Sequence, residues 1–598
     1  MNKLYSFDLF DTLVTRKIKH PHDIFICIEA SGRVHYRSFL FKYIPFSRLR
    51  ILCEKICRKF EKKEDINIYQ IYNLLSFFIL NSKEILNLEI ELEYKVLYPI
   101  EKNVQLINSY IQSGKRVCIT SDMYWPKKYI LEILSRNNIN VDHVYVSSEI
   151  GLTKASGNLF KYIANELNFE FENIVHYGDN RVSDYVIPKK LGINSIHIGD
   201  AENYKSDNIF NIFKVDPNSN PLFKVGFNFC APLAYSFSYF IHKNNSNNKN
   251  IVFGARDSYL FEKAFNEFFN RNKKSNTFYT RVSRSLVYLP GVHFSKNTNY
   301  IFEGSLTTND FFSRIGLECP ERFKNQRLWD IKKEVELYLI KDLNFLNSLE
   351  GVSNRVLNYL EKNGFHEDAF FVDIGWRGSV QDSLSLILKS IDIEGYYIGT
   401  INADNKKNGF IFQNKKPFKD YFYIFQCISY FEFIFTEPEK SLSGIDFEGE
   451  NFNYIFTSDE NADQISIREN FQKGAYAFFD EFKSLNIDID EKYLIKSIRN
   501  LIKSNTMSID EEVVSALKKC SHSAGFNGSL QSSLLQFDDF SIMSYLRAPW
   551  KAYFMHELKK YSLIKYYIFI ILFHNSLFFI FYENFKIIFR KLRALLND

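Results

Sequence analysis

The stretch Leu4-Tyr5-Ser6-Phe7-Asp8-Leu9-Phe10-Asp11-Thr12 decides how the first third of this chain is read. Residues 4 to 7 predict a strand, and Asp8 follows it directly, ahead of a turn that holds Asp11 and Thr12. Three later pieces continue the pattern: Thr120-Ser121-Asp122, Lys154, and Gly178-Asp179-Asn180 with Asp184 just beyond. Each stands where an apolar run ends, and an open α/β sheet collects its polar groups at that edge. Strands and helices alternate from residue 1 to about 200, which predicts an α/β domain. A long, mostly helical insert interrupts the alternation over about residues 17–95.

The chain has 598 residues, more than one hydrophobic core accommodates, and suits two or three domains. Asp216-Pro217-Asn218-Ser219-Asn220-Pro221 breaks any regular element and marks a boundary. A second α/β pattern covers residues 225–460, with strands expected near 251–253, 277–279, 369–372 and 395–400 and helices after Ser258 and Ser379. From residue 465 to 598 the pattern is helical. A net charge of +5 spread over this length predicts no nucleic-acid partner. The eight cysteines form no CxxC pair, which favours reduced, buried thiols over disulfides or zinc. No basic region and apolar stretch precede the first strand, so a cytoplasmic location is expected.

The four N-terminal pieces suit chemistry on phosphate. A carboxylate at Asp8 can attack phosphorus and form an acyl phosphate, which splits a hard hydrolysis into two easier steps. Its attack on a dianion is repulsive unless positive charge intervenes. Magnesium held by Asp8, Asp179 and Asp184 would supply that charge. Ser121 would bond the phosphoryl oxygens, and Lys154 would neutralise them and steady Asp8. These residues resemble the haloacid dehalogenase (HAD) superfamily over roughly residues 1–200. The resemblance implies a Rossmann-like core, a helical cap after the first strand, Asp8 as nucleophile, Mg²⁺ as cofactor and phosphatase activity. Phosphatases of this group carry a second Asp two residues after the nucleophile as general acid and base. That position is Phe10 here, whose carbonyl remains available to metal, and Asp11 comes one residue later. Either Asp11 takes the role by a shifted geometry or the water is activated otherwise. A lost acid/base costs ~10²–10⁴ in rate, so a slow or retired phosphatase is a further reading.

In the second α/β region, Gly254-Ala255-Arg256-Asp257-Ser258 follows one expected strand, and Asp373-Ile374-Gly375-Trp376-Arg377-Gly378-Ser379 follows another and opens a helix. Glycines, an acid and a hydroxyl at a strand-to-helix turn suit a sugar phosphate. Arg256, with Arg281 and Arg284 of Thr280-Arg281-Val282-Ser283-Arg284-Ser285, would clamp a pyrophosphate. The arrangement looks like a type I phosphoribosyltransferase (PRTase), with the acidic pair reduced to Asp373 and the loop one residue short. It is more closely similar to the glycan phosphoribosyltransferases of bacterial polysaccharide assembly, such as capsule and O-antigen. That family transfers ribose 5-phosphate from PRPP to a glycan, and a HAD-type phosphatase then leaves ribofuranose. The resemblance implies a bifunctional enzyme whose PRPP site comprises Arg256, Asp257, Arg281, Arg284, Asp373, Gly375, Arg377, Gly378 and Ser379. Asp257, Glu432 and Glu437 are unranked candidates to deprotonate the acceptor, and loop solvation is the plainer reading of the two glutamates.

Residues 563–582 are strongly apolar around His574-Asn575-Ser576, and Lys586, Arg590, Lys591 and Arg593 follow, interleaved with apolar residues. The polar triplet argues against a simple span. The pattern fits either helices packed on the body or an interfacial segment at the inner face of the cytoplasmic membrane, where a lipid-linked glycan would be met. Two other functions stand beside the bifunctional one: a HAD phosphatase fused to a nucleotide-sugar glycosyltransferase, and a non-catalytic scaffold of a polysaccharide complex.

Overall fold

The computed structural model describes residues 3–199, 206–245, 249–298, 301–302, 307–315, 317–341, 343–401, 404–440, 442–448, 451–456, 462–518, 520–523, 531–535 and 537–572. The chain divides into two compact units, one of residues 1–216 with 480–497, the other of 217–479 with 498–598.

The first unit is built on a five-stranded parallel sheet. Its strands are β1 (Leu4–Phe7), β4 (Arg116–Ser121), β5 (His143–Val146), β6 (Ile174–Gly178) and β7 (Asn194–His197), in the order β5-β4-β1-β6-β7. A sheet covered on both faces takes near-continuous apolar strands. Leu4, Cys118 and Ile174 accordingly pack with Leu159, Phe160 and Ile163 of the helix Asn158–Leu167 in a fully buried cluster. The chain runs outward from β1 to β4 and β5, then returns to β6 on the other side. That reversal opens a crevice at the carboxyl ends of β1 and β6, the position where such sheets bind ligands.

Between β1 and β4 lies the helical cap. Its neck is an antiparallel pair of short strands, β2 (Val14–Arg16) and β3 (Leu97–Pro99). Its body is the helices Asp23–Ala30, Phe46–Phe60, Ile68–Leu75 and Ser82–Val96. Asn67 and Gln70 cap the third of these reciprocally, satisfying two amides that the helix leaves open. Arg50 is wholly buried in the cap, and Glu89 takes its guanidinium through two hydrogen bonds of 3.0 and 2.9 Å. A buried arginine persists only with such pairing.

The second unit repeats the architecture with different connectivity. Strands β8 (Asn250–Ala255), β9 (Thr277–Arg281), β10 (Ala369–Trp376), β11 (Ile393–Thr400) and β12 (Lys407–Phe412) form a parallel sheet in the order β12-β11-β10-β8-β9. Here the reversal falls between β8 and β10, whose register pairs Val372 with Phe253. The overall class is α/β in both units. All eight cysteines are free thiols, and six of them are buried. No described helix is long and apolar enough to cross a membrane. The helix Leu563–Leu572 is described, with Ile564 and Ile571 exposed, whereas the His574-Asn575-Ser576 triplet and the basic residues after it lie outside the described residues.

Candidate active sites

The crevice of the first unit gathers the residues expected there. Asp8 leaves β1 with its amide bonded to Tyr177 O at 2.8 Å, which fixes it beside the end of β6. Lys154 is buried, and its Nζ lies 2.6 Å from Asp8 Oδ1 and 2.6 Å from Asp184 Oδ1. The Lys154 loop is held by Asp122, whose carboxylate accepts from the Lys154 amide at 2.8 and 2.9 Å and from the Ala155 amide at 3.2 Å. Thr12 Oγ1 joins two acids, donating toward Asp8 Oδ2 at 3.4 Å and Asp179 Oδ1 at 3.3 Å. Ser121 is buried at the end of β4.

Asp8, Asp179 and Asp184 each offer a carboxylate oxygen, all within 4.8 Å of one another. Burial pushes the Asp8 carboxyl up to about 8, against the pull of Lys154, and the charges of Asp184 and Asp179 add to it. Burial, helped by Asp11 and Asp184, raises Asp179 to about 6. Burial also acts on Asp184, but Lys154 and His176 overcome it and hold that carboxyl well below its ordinary range. Three carboxyl groups thus crowd one ammonium, and a divalent cation with oxygen ligands would favour their ionised forms. The donor set fits Mg²⁺.

Asp11 sits in the left-handed region at φ 54°, and its Oδ1 accepts from Thr15 Oγ1 at 2.7 Å. The guanidinium of Arg16 lies 4.6 Å from the centroid of the Phe10 ring. The side chain at the usual acid–base position therefore stacks beneath a cap cation, and the following carboxylate is held by the neck of the cap.

Sequence reasoning missed a hydrogen-bonded file beneath the site. His176 is fully buried on β6, with Nε2 3.2 Å from Asp184 Oδ1 and Nδ1 2.8 Å from Ser6 Oγ. Ser6 Oγ lies 2.8 Å from Thr120 Oγ1. Burial lowers the pKa of His176, so the ring is neutral, and a carboxylate can only accept. Nε2 therefore carries the proton, and Ser6 donates to Nδ1. The available signal was polar residues inside the apolar runs 4–7 and 174–177, each at an inward position of a buried strand.

The second unit brings its two loops together at the carboxyl ends of β8 and β10. Ser258 Oγ donates to Val372 O at 2.8 Å. The helix Ile428–Phe435 ties both loops: Glu432 accepts from Trp376 Nε1 at 2.7 Å, and Thr436, just past the helix, donates to Asp257 Oδ1 at 2.9 Å. Burial lifts the Asp373 carboxyl to about 7, with Asp257 and Glu432 adding to the rise, while the Ile374 amide and Arg284 oppose it. Gly378 caps the helix Ser379–Ile387 at φ +69°, and a Cβ there would stand 2.8 Å from Lys407 Cε. Gly375, at φ +148°, would place a Cβ 2.8 Å from Gly399 O. Tyr288 donates to Ser379 Oγ at 2.8 Å. Arg256 leaves β8, while Arg284 and Arg377 are exposed.

Two expectations need correction. Arg281 closes β9, but its guanidinium is held by Glu437 at 3.2 Å and Glu439 at 2.6 Å, so carboxylates occupy the fork that was assigned to a pyrophosphate. Glu437 is buried and Glu432 bonds Trp376, so neither serves merely to solvate a loop. The chain reaches them from 180 or so residues after β8, a distance over which no local pattern reports pairing.

No family model matches the chain, and no curated protein matches it. Solved structures similar to it include a dehalogenase (13% identity, TM-score 0.24, covering 33% of this chain and 84% of that one). A HAD family enzyme from Bacteroides thetaiotaomicron, solved with magnesium and inorganic phosphate, shows 12% identity and a TM-score of 0.21 over 34% of this chain and 98% of its own. A HAD phosphatase from Thermococcus onnurineus shows 18% identity and a TM-score of 0.25 over 36% of this chain and 92% of its own. At these TM-scores the likeness carries no inference about chemistry, which rests on the residues themselves.

Proposed function

We propose that the first unit is a Mg²⁺-dependent phosphohydrolase of the HAD type, working through a phosphorylated Asp8. The observation that carries this is Lys154 Nζ, seated 2.6 Å from both Asp8 and Asp184 in a pocket with Asp179. Asp8 attacks the phosphorus of a phosphomonoester, the ester oxygen leaves with a proton, and water then cleaves the acyl phosphate to return Asp8 and inorganic phosphate. Lys154 orients Asp8 and offsets charge on the phosphoryl oxygens, Ser121 donates to them, and Asp11 is a candidate for the proton steps. Asp8, Asp179 and Asp184, with the Phe10 carbonyl, would hold a Mg²⁺ ion, which would supply the remaining positive charge. Release of phosphate from a phosphosugar with Mg²⁺, lost in Asp8→Asn, tests this; equal turnover by that variant overturns it.

For the second unit the reading is transfer of ribose 5-phosphate from PRPP to a glycan, after which the first unit removes the phosphate. Support comes from the two loops at the β8/β10 reversal, with Asp373 and Asp257 between them and Arg256, Arg284 and Arg377 as the cations for pyrophosphate. Departure of pyrophosphate from C1 leaves oxocarbenium character that a glycan hydroxyl quenches, giving its proton to a base for which Asp257 is a candidate. Incubation with PRPP, Mg²⁺ and a lipid-linked or synthetic glycan, followed by mass analysis, should give a pentose phosphate adduct and then a bare pentose. The Asp8→Asn protein should stop at the first. Turnover only with a nucleotide-sugar would replace this reading with the glycosyltransferase one.

A further inference from the structure

The cap carries an apolar surface that neither reaction uses. Phe39, Leu40 and Tyr43 are 70%, 73% and 71% exposed, and Phe77 and Leu80 are 72% and 60% exposed. Scattered exposed leucines mean little, but several large apolar side chains on one edge mark a contact surface. The two segments that bear them are fastened together. The Arg37 amide donates to Phe78 O at 2.9 Å, the Leu80 amide to His35 O at 2.7 Å, and Arg37 Nε to Ser76 O at 2.6 Å. The Phe41 ring packs edge-on against Phe78 at 5.1 Å, anchoring the 3₁₀ turn Phe39–Tyr43 whose other apolar residues stay in water.

The segment that bears the 3₁₀ turn is basic in sequence. Between residues 30 and 53 the chain holds Arg33, Arg37, Lys42, Arg48 and Arg50 and no Asp or Glu. Arg50 is spent on Glu89, whereas Arg33, Arg37, Lys42 and Arg48 are exposed. The turn after Leu75 adds Lys83 before the first acid, Glu84. Exposed aromatic and aliphatic tips interspersed with Arg33, Arg37, Lys42 and Arg48 match a bilayer with anionic headgroups: the tips enter the headgroup–acyl boundary and the cations meet phosphates. A second copy of the same edge is disfavoured, because an isologous contact would bring these cations face to face.

We infer that the cap edge formed by residues 37–44 and 76–80 docks the protein on an anionic membrane surface. Its residues are distinct in sequence from the C-terminal segment and from those of both proposed reaction sites. The test is co-sedimentation of the full chain with vesicles of phosphatidylcholine alone and with about a third phosphatidylglycerol. Binding is expected only to the anionic vesicles and should weaken with added salt. Phe39→Ser/Leu40→Ser/Tyr43→Ser and, separately, Arg37→Gln/Lys42→Gln should each lower it by about tenfold, with the C-terminal segment intact throughout. The substituted side chains are exposed, and unchanged far-ultraviolet circular dichroism and phosphate release would certify the fold. No binding by the parent, equal binding by both variants, or a parent dimer that the triple variant abolishes would each overturn the inference.

Discussion

At the scale of single residues, the two proposed sites both hold carboxyl groups in places that disfavour their charge, and each makes a measurable demand on the fold. His176 fixes Asp184 from below while Lys154 fixes it from the side, and Ser6 and Thr120 complete the file. His176→Phe keeps the buried volume roughly constant but removes a donor from Asp184 and strands the Ser6 hydroxyl. Such a loss is worth about 1–3 kcal/mol per unsatisfied group, and loss of a residue behind a metal ligand typically weakens metal affinity or activity about 10–100-fold. Titration of the protein with Mn²⁺ followed by electron paramagnetic resonance reads the affinity directly; an unchanged dissociation constant refutes the role. Asp373 gives a pH signature in the second unit. Its native carboxyl keeps a proton up to about pH 7, whereas the unfolded one releases it near 3.8. In that window the native state binds more protons, so stability falls as pH rises and the penalty is complete above about 7. Asp373→Asn should therefore stabilise the protein by a few kcal/mol at pH 8 and by almost nothing near pH 4, on the order set by one carboxyl shift. Urea melts across that range check the sign, and a gain that grows toward acid would contradict it.

At the scale of elements, both sites arise from one rule, that a parallel sheet whose chain reverses direction opens a crevice at its strand ends. This much was legible in the sequence, because Asp8, Asp179, Asp257 and Asp373 each stand at or just past the end of a largely apolar run. What was not legible depends on atoms that meet only after folding. His176 reads as one polar residue within an apolar strand, and Glu437 reads as a loop acid until the fold sets it on Arg281. Gly178 lies between the two cases. It looks like an ordinary turn residue, yet a Cβ there would collide with the Cβ and Cγ of Asp184. Gly178→Ala should push the turn Arg181–Val186 away from β6, draw Asp184 off Lys154, and cost about 1–3 kcal/mol as overpacking does. Phosphate release should fall together with the melting temperature, and a fully active, equally stable variant would show that the turn yields without consequence.

At the scale of the whole molecule, the first unit is not continuous in sequence. Residues 480–497 follow the second sheet in the chain but belong with residues 1–216. Their contacts there are specific. Phe482 packs on Phe210 and Phe213 at ring separations of 6.0 and 6.4 Å, and Glu481 pairs with Lys17 at 2.9 Å. Lys95 Nζ donates to Leu485 O at 2.9 Å, and the Asp490 amide donates to Ala30 O at 2.8 Å. Leu485, Ile489 and Leu494 are buried along with Phe210, Ile212 and Phe213. A fragment ending at residue 216 would expose that surface, and burying a large apolar side chain is worth roughly 1.5–3 kcal/mol. Against a native margin of about 5–15 kcal/mol, the loss of several such side chains is severe. The fragment 1–216 should bind a hydrophobic dye, melt early or aggregate, whereas the same fragment carrying residues 480–497 on a flexible linker should fold with full phosphate release. Equal stability of the two fragments by calorimetry would mean that the returning segment only caps a core already complete.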